Sequence, residues 1–167
     1  MIILKLGDIT LKISEKIIDQ MLQFKQDTND KHESGGILIG YYIEELSFTL
    51  TNITTPSKLD RSSRFFFTRN KNSAQNAINK FFKESNGKKI YLGEWHSHPE
   101  DMPKPSFLDC KSIKEQIKLN KLNSKIIFMI IIGNGGFSIS IVEAEKIIFQ
   151  KKIGYDQILT ISNVKEV

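Results

Sequence analysis

Two histidines, one aspartate and a choice of two glutamates are the residues in this chain whose types and spacing could do chemistry. His96 and His98 stand two apart in Gly93-Glu-Trp-His-Ser-His-Pro99. Alternate side chains on an extended strand leave the same face, so both imidazoles can reach one ion, which adjacent histidines could not do. Ten residues separate His98 from Asp109, enough for a loop to bring back a carboxylate as third ligand. Three protein ligands leave a tetrahedral zinc one open position for water, the pattern of a catalytic site and not a structural one. Such an ion lowers the pKa of its water from about 15.7 to about 7 and polarises a carbonyl, which is the physics of amide hydrolysis. Something must also take the proton of that water and deliver it to the leaving amine, a task suited to a glutamate that does not bind the metal. Glu94 lies two before His96 and shares its strand face, while Glu33 precedes Ser-Gly-Gly-Ile-Leu-Ile-Gly at the mouth of another strand. Spacing alone does not choose between them.

The elements that must hold these residues follow from periodicity. Strands are expected near 2–6 and 9–13, then Ser14 caps a helix whose apolar positions are Ile17, Ile18, Met21 and Leu22 and which fades around Lys25 to Asp30. Ile37 to Ile43 and Ser47 to Thr54 flank Glu44-Glu45 as a hairpin, and the polar stretch from Pro56 to Arg64 reads as a mobile loop. Phe65-Phe66-Phe67 reads as a short core strand, and Asn70 to Glu84 as a helix with Ala74, Ala77, Ile78, Phe81 and Phe82 inward, stopped by Gly87. The histidine pair ends a strand from Lys89 to His98. Ser106 opens a helix to about Leu122, which delivers Asp109. Strands near 125–132, 136–142 and 145–151 follow, the first two separated by Gly133-Asn134-Gly135-Gly136. The last twelve residues give no clear signal. Strands alternate with helices, so the fold class is α/β with a mixed sheet.

Composition bounds the rest. A chain of 167 residues, 40% apolar and 26% charged, is expected to form a single unit over 1–167 with its core in about 1–152, and at this length it needs no disulfide staple. Cys110 is the only cysteine, which excludes a disulfide framework and any zinc site built on paired cysteines, and makes a reducing, cytoplasmic compartment the expectation. The N-terminus has no basic lead and is interrupted by Lys5 and Asp8, so it reads as a strand and not a signal peptide. The longest apolar run, Ile126 to Ile132, is seven residues, far below the ~20 that span a bilayer. A net charge of +5 is a mild excess that falls short of a nucleic-acid signature. Lys111, Lys114, Lys118 and Lys121 fall along one side of a helix, as a solvated face opposite Cys110, Ile113 and Ile117, with a docking surface as the other reading.

Together these segments resemble the JAMM (MPN-type) metallopeptidase family, whose pattern is a glutamate ahead of Gly-Gly-x-Leu-x-Gly, then His-x-His-Pro, then Pro-Ser-x-x-Asp. The parts occur in order at Glu33 through Gly40, His96 to Pro99, and Pro105 to Asp109, with the first two about sixty residues apart. The resemblance spans roughly residues 1 to 150. It implies a curved, mixed MPN/JAB-like sheet flanked by helices, layered like a cytidine deaminase. It implies one Zn2+ held by His96, His98 and Asp109, Glu33 as general acid/base in place of Glu94, and Ser106 as an oxyanion stabiliser. The substrate class implied is an amide bond at the C-terminus of a ubiquitin-like modifier or a conjugated protein tail, bound along a strand edge. Short members with Gly-Glu-Trp-His-Ser-His-Pro look like those of bacterial anti-phage (CBASS) operons, which remove conjugates from cGAS-like nucleotidyltransferases; processing of a ubiquitin-like or sulfur-carrier precursor is the alternative. In eukaryotic members the residues before the first histidine are commonly aromatic, so Glu94 is a departure that leaves its role open, substrate contact among the possibilities.

Each residue also has a plainer reading. Ser106-x-x-Asp109 is an ordinary capping box, Trp95 and Cys110 read as core, and Arg61, Arg64 and Arg69 either decorate the surface or meet a carboxylate. Two rivals come from other classes. The facial triad of non-haem iron oxygenases also uses two histidines and a carboxylate, but in the reverse chain order. A silent MPN scaffold that only binds partners typically lacks the ligand set, which this chain retains.

Overall fold

A computed structural model describes residues 1–158 of the chain. Among them, ten strands and three complete helices follow in the order β1 (Ile2–Leu6), β2 (Ile9–Ile13), α1 (Glu15–Leu22), β3 (Gly35–Glu44), β4 (Ser47–Ile53), β5 (Arg61–Ser63), β6 (Phe66–Thr68), α2 (Lys71–Glu84), β7 (Ile90–Ser97), α3 (Phe107–Leu119), β8 (Ile126–Ile132), β9 (Gly136–Glu143) and β10 (Lys146–Gly154), and residues 155–158 are helical as well. Eight strands form one mixed sheet in the order β1-β2-β4-β3-β7-β8-β9-β10, and β5 pairs with β6 as a separate ribbon. The pairs β2/β4 and β7/β8 are parallel and the others antiparallel. The outermost strands β1 and β10 touch, so the sheet curls. Of the closing residues in which the sequence carries no clear signal, 159–167 lie outside the described residues. Among the described residues no helix is long and apolar enough to cross a membrane.

The curled sheet buries both faces at its centre, and β8 shows how the sequence encodes that. A strand covered on one side alternates apolar and polar residues, as β1 does with Ile2, Leu4 and Leu6 in and Lys5 out, whereas a strand covered on both sides reads as an uninterrupted apolar run. Every residue of Ile-Ile-Phe-Met-Ile-Ile-Ile is buried. Ile126, Phe128, Ile130 and Ile132 join the core containing α1, while Ile127, Met129 and Ile131 join the second core beneath α2 and α3. β7 lies beside β8 and is joined to it through α3, so the histidine strand and the aspartate helix belong to one strand–helix–strand unit.

Several expectations are corrected. The end of the stretch expected to be a loop, Pro56 to Arg64, forms β5, held by backbone pairing of Arg61 to Thr68 and Ser63 to Phe66. Phe65 and Phe66 are not core: they are exposed, because the β5–β6 ribbon stands off the main sheet and none of the described residues covers its outer side. Phe82 is likewise exposed, at the rim of the stripe through which Ala74, Ala77, Ile78 and Phe81 pack. Cys110 is half-buried on α3. Trp95 does lie in the core, with its indole N–H donating to the Thr54 carbonyl at 2.9 Å.

Candidate active site

The histidine pair sits where β7 leaves the sheet. β7 has β3 on one side and β8 on the other, and the backbone N–H of His98 extends the ladder by donating to the Ile132 carbonyl at 2.9 Å. Both imidazoles project from one face, with their Nε2 atoms 3.2 Å apart. Asp109 reaches them from the first turn of α3. Its Oδ1 is 3.1 Å from His96 Nε2 and its Oδ2 is 3.3 Å from His98 Nε2. The aspartate is fixed by a reciprocal cap: its backbone N–H donates to Ser106 Oγ at 3.1 Å, and the Ser106 N–H donates to Asp109 Oδ2 at 2.6 Å. The capping expectation for Ser106 is therefore met. A hydroxyl that accepts through a lone pair still has its proton to donate, and Ser106 also lines the cavity beside the cluster.

Glu33 joins from a third direction. Its Oε1 lies 3.6 Å from His98 Nε2, and its carboxylate is buried. Its backbone N–H donates to the Ser63 carbonyl at 2.8 Å, and β3 begins two residues later, with Gly35 opposite His96 in register. Side chains do not fit at that crossing. A Cβ on Gly35 would fall 2.6 Å from the Trp95 carbonyl oxygen, and one on Gly36 2.0 Å from that of Thr54, so Gly35 lets the start of β3 close against the histidine strand and Gly36 lets it close against the chain that follows β4.

Glu94 is placed differently. It faces the same cavity, of about 410 Å³, but Arg69 Nη1 lies 2.5 Å from its Oε1 and the Tyr91 hydroxyl donates to that oxygen at 3.0 Å. The other Arg69 nitrogen, Nη2, donates to Gln116 Oε1 on α3 at 3.2 Å. Geometry thus brings Glu33, not Glu94, to the cluster. Of the arginines weighed from sequence, Arg69 meets a carboxylate, though an internal one. Arg64 donates to the Thr28 carbonyl at 3.1 Å and Arg61 is exposed. Lys111, Lys114, Lys118 and Lys121 are all exposed. The Arg69–Gln116 contact and Glu100, whose Oε2 lies 3.6 Å from His98 Nδ1, carried no sequence signal of their own.

The electrostatics follow from burial against pairing. Burial pushes the Glu33 carboxyl up to about 7, with the Asp109 charge adding to the rise and the two imidazoles opposing it. Burial also works to raise Asp109, but hydrogen bonds to His96 and His98, their charge and the Ser106 N–H hold it well below the usual carboxylate range. His98 is disfavoured as a cation by burial, yet Asp109, Glu33 and Glu100 together raise it.

One nitrogen from each of His96 and His98 and one oxygen of Asp109 lie within 4.8 Å of one another. Two imidazole nitrogens aimed at each other across 3.2 Å can share only one proton, whereas a divalent cation satisfies both lone pairs and the carboxylate at once. Two nitrogens and one oxygen are a donor set that suits zinc.

Residues 14–145 match the family described as prokaryotic homologs of the JAB domain. A protein of Escherichia coli (strain TW11681) named CD-NTase/cGAS isopeptidase is 38% identical over 100 residues, 60% of this chain and 64% of its own length. A protein of the same name from Vibrio cholerae serotype O1 is 31% identical over 147 residues, 88% of this chain and 91% of its own. The solution structure of a protein from Desulfitobacterium hafniense superposes with a TM-score of 0.59 at 17% identity, covering 86% of this chain and 90% of that one, a likeness of fold.

Proposed function

The chain belongs to the family of prokaryotic homologs of the JAB domain, and from that premise we propose that it is a JAMM-type zinc isopeptidase. Its reaction is hydrolysis of the amide bond that joins the C-terminus of a ubiquitin-like modifier to a conjugated protein. The conjugated protein is a CD-NTase or cGAS-like nucleotidyltransferase, the substrate named for the E. coli and V. cholerae relatives, and the setting is bacterial CBASS anti-phage defence. The observation that carries this reading is the meeting of Glu33, His96, His98 and Asp109, from three separate segments, beside a cavity that Glu33, His96 and Asp109 line.

In this reading His96, His98 and Asp109 hold the zinc. Zinc bound there supplies Lewis acidity, which polarises a carbonyl oxygen and acidifies water. Glu33 takes the proton of the attacking water on its carboxylate and hands it to the nitrogen of the leaving amine. A carboxyl held near neutrality by burial can do both, accepting in one step and donating in the next. Ser106 donates its hydroxyl proton to the oxygen on which negative charge develops. The cavity, with Glu94 and Arg69 in its lining, takes the extended tail and keeps it in line with these groups.

The test is incubation of a modifier–nucleotidyltransferase conjugate with the protein. Release of the free modifier with an intact C-terminus, blocked by a chelator and restored by zinc, is the expected result. Cleavage only of a modifier precursor with a peptide extension would move the function to precursor processing. Cleavage that persists with the metal stripped would overturn the zinc assignment.

A further inference from the structure

Glu33 stands between α1 and β3 on chain that has no regular secondary structure, so no helix or strand dictates where its carboxylate sits. A buried amide does. Gln26 is 2% exposed. Its Nε2 donates to the Lys31 carbonyl at 3.2 Å and to the Arg64 carbonyl at 2.8 Å, and its Oε1 accepts from Ser97 Oγ at 3.4 Å. Its backbone carbonyl accepts from Asn134 Nδ2 at 3.2 Å. Each side-chain partner belongs to a segment that touches the site. Lys31 is two residues before Glu33. Arg64 follows Ser63, whose carbonyl receives the Glu33 N–H. Ser97 lies between His96 and His98, is fully buried, and exchanges two hydrogen bonds with Ser34, accepting from its N–H at 2.9 Å and donating its own N–H to the Ser34 carbonyl at 2.8 Å.

An apolar side chain would fill the same volume but leave two carbonyls and the proton of the Ser97 hydroxyl without partners, so the site needs an amide there. We infer that Gln26 is a positioning residue: it ties the loop of Glu33 to the β5–β6 ribbon and to the histidine strand, and so sets where the Glu33 carboxylate stands relative to His98. The inference rests on the role given to Glu33 above and adds a residue that touches neither substrate nor metal.

A double-mutant cycle tests it, with kcat, KM, zinc content and Tm measured for Gln26→Met, Glu33→Ala and the pair. Gln26→Met is expected to lower kcat by ~10–100-fold, the cost of a catalytic group displaced by about an ångström, with KM and zinc content unchanged. In the Glu33→Ala background it should cost nothing further in kcat, because no carboxylate is left to misplace. An equal fold-loss in both backgrounds, or loss of zinc together with rate, overturns the inference by making Gln26 a general support of the fold or of the metal ligands. Should Gln26→Met fail to fold, Gln26→Glu, which keeps the acceptor for Ser97 and can supply at most one of the two donated bonds, is read by the same criterion. Full turnover by Glu33→Ala alone would instead overturn the role of Glu33, and this inference with it.

Discussion

The two walls of the site are built to different standards. His96 and His98 leave a strand with neighbours on both sides and a core on each face. Asp109 and Ser106 belong to a helix that buries one residue, Ile113, and leaves Phe107 and Leu108 81% and 63% exposed beside the cavity. The ribbon carrying Phe65 and Phe66 is just as open. Divided in this way, the three proposed ligands would make a bound ion a staple between a firm wall and a light one, since binding free energy goes to whichever element is least secured without it.

Five measurements probe how the two walls differ. The largest effect is expected from His96→Ala or Asp109→Ala, each abolishing both zinc binding and turnover; stoichiometric zinc in either, by elemental analysis, would show that the walls do not meet through these donors. Glu33→Ala should keep its zinc and lose roughly 10²–10⁴-fold in kcat, the share of general acid–base help. Ser106→Ala should lose on the order of 10²–10³-fold in kcat, as for one oxyanion donor; a drop in Tm with unchanged turnover would return Ser106 to capping alone. Chelation of the zinc should speed amide exchange in α3 by ~10-fold or more relative to β7 and β8, the weight of an ion that binds only the docked helix. Equal acceleration in all three would erase the distinction between the walls. The smallest effect belongs to Gln116→Ala, which removes the tie from α3 to Arg69 and should cost ~1 kcal/mol or less, read as a slightly lower Tm.

The firm wall was also the legible one. Period-two alternation in β1, the unbroken apolar run of β8 and the His-x-His spacing are direct consequences of side chains facing a core or an ion, so they can be read without coordinates. The resemblance then chose Glu33, whose carboxylate lies 3.6 Å from His98. The light wall left no such record. The β5–β6 ribbon has no fully buried face to impose a pattern, so Arg61 to Ser63 reads as loop and Phe65 and Phe66 as core. Arg69, Glu94 and Gln116 come together from the end of β6, from β7 and from α3, a meeting that sequence distance conceals. Gln26 was silent for the same reason, since a glutamine bonded to backbone carbonyls looks in sequence like any surface glutamine.

Because β7, α3 and β8 run consecutively through residues 90–132, the three proposed zinc donors need only short-range chain closure to come together, whereas Glu33 arrives from the far end of a much longer loop. An ion held by these donors would need only the 90–132 unit in place, whereas turnover would need Glu33 as well.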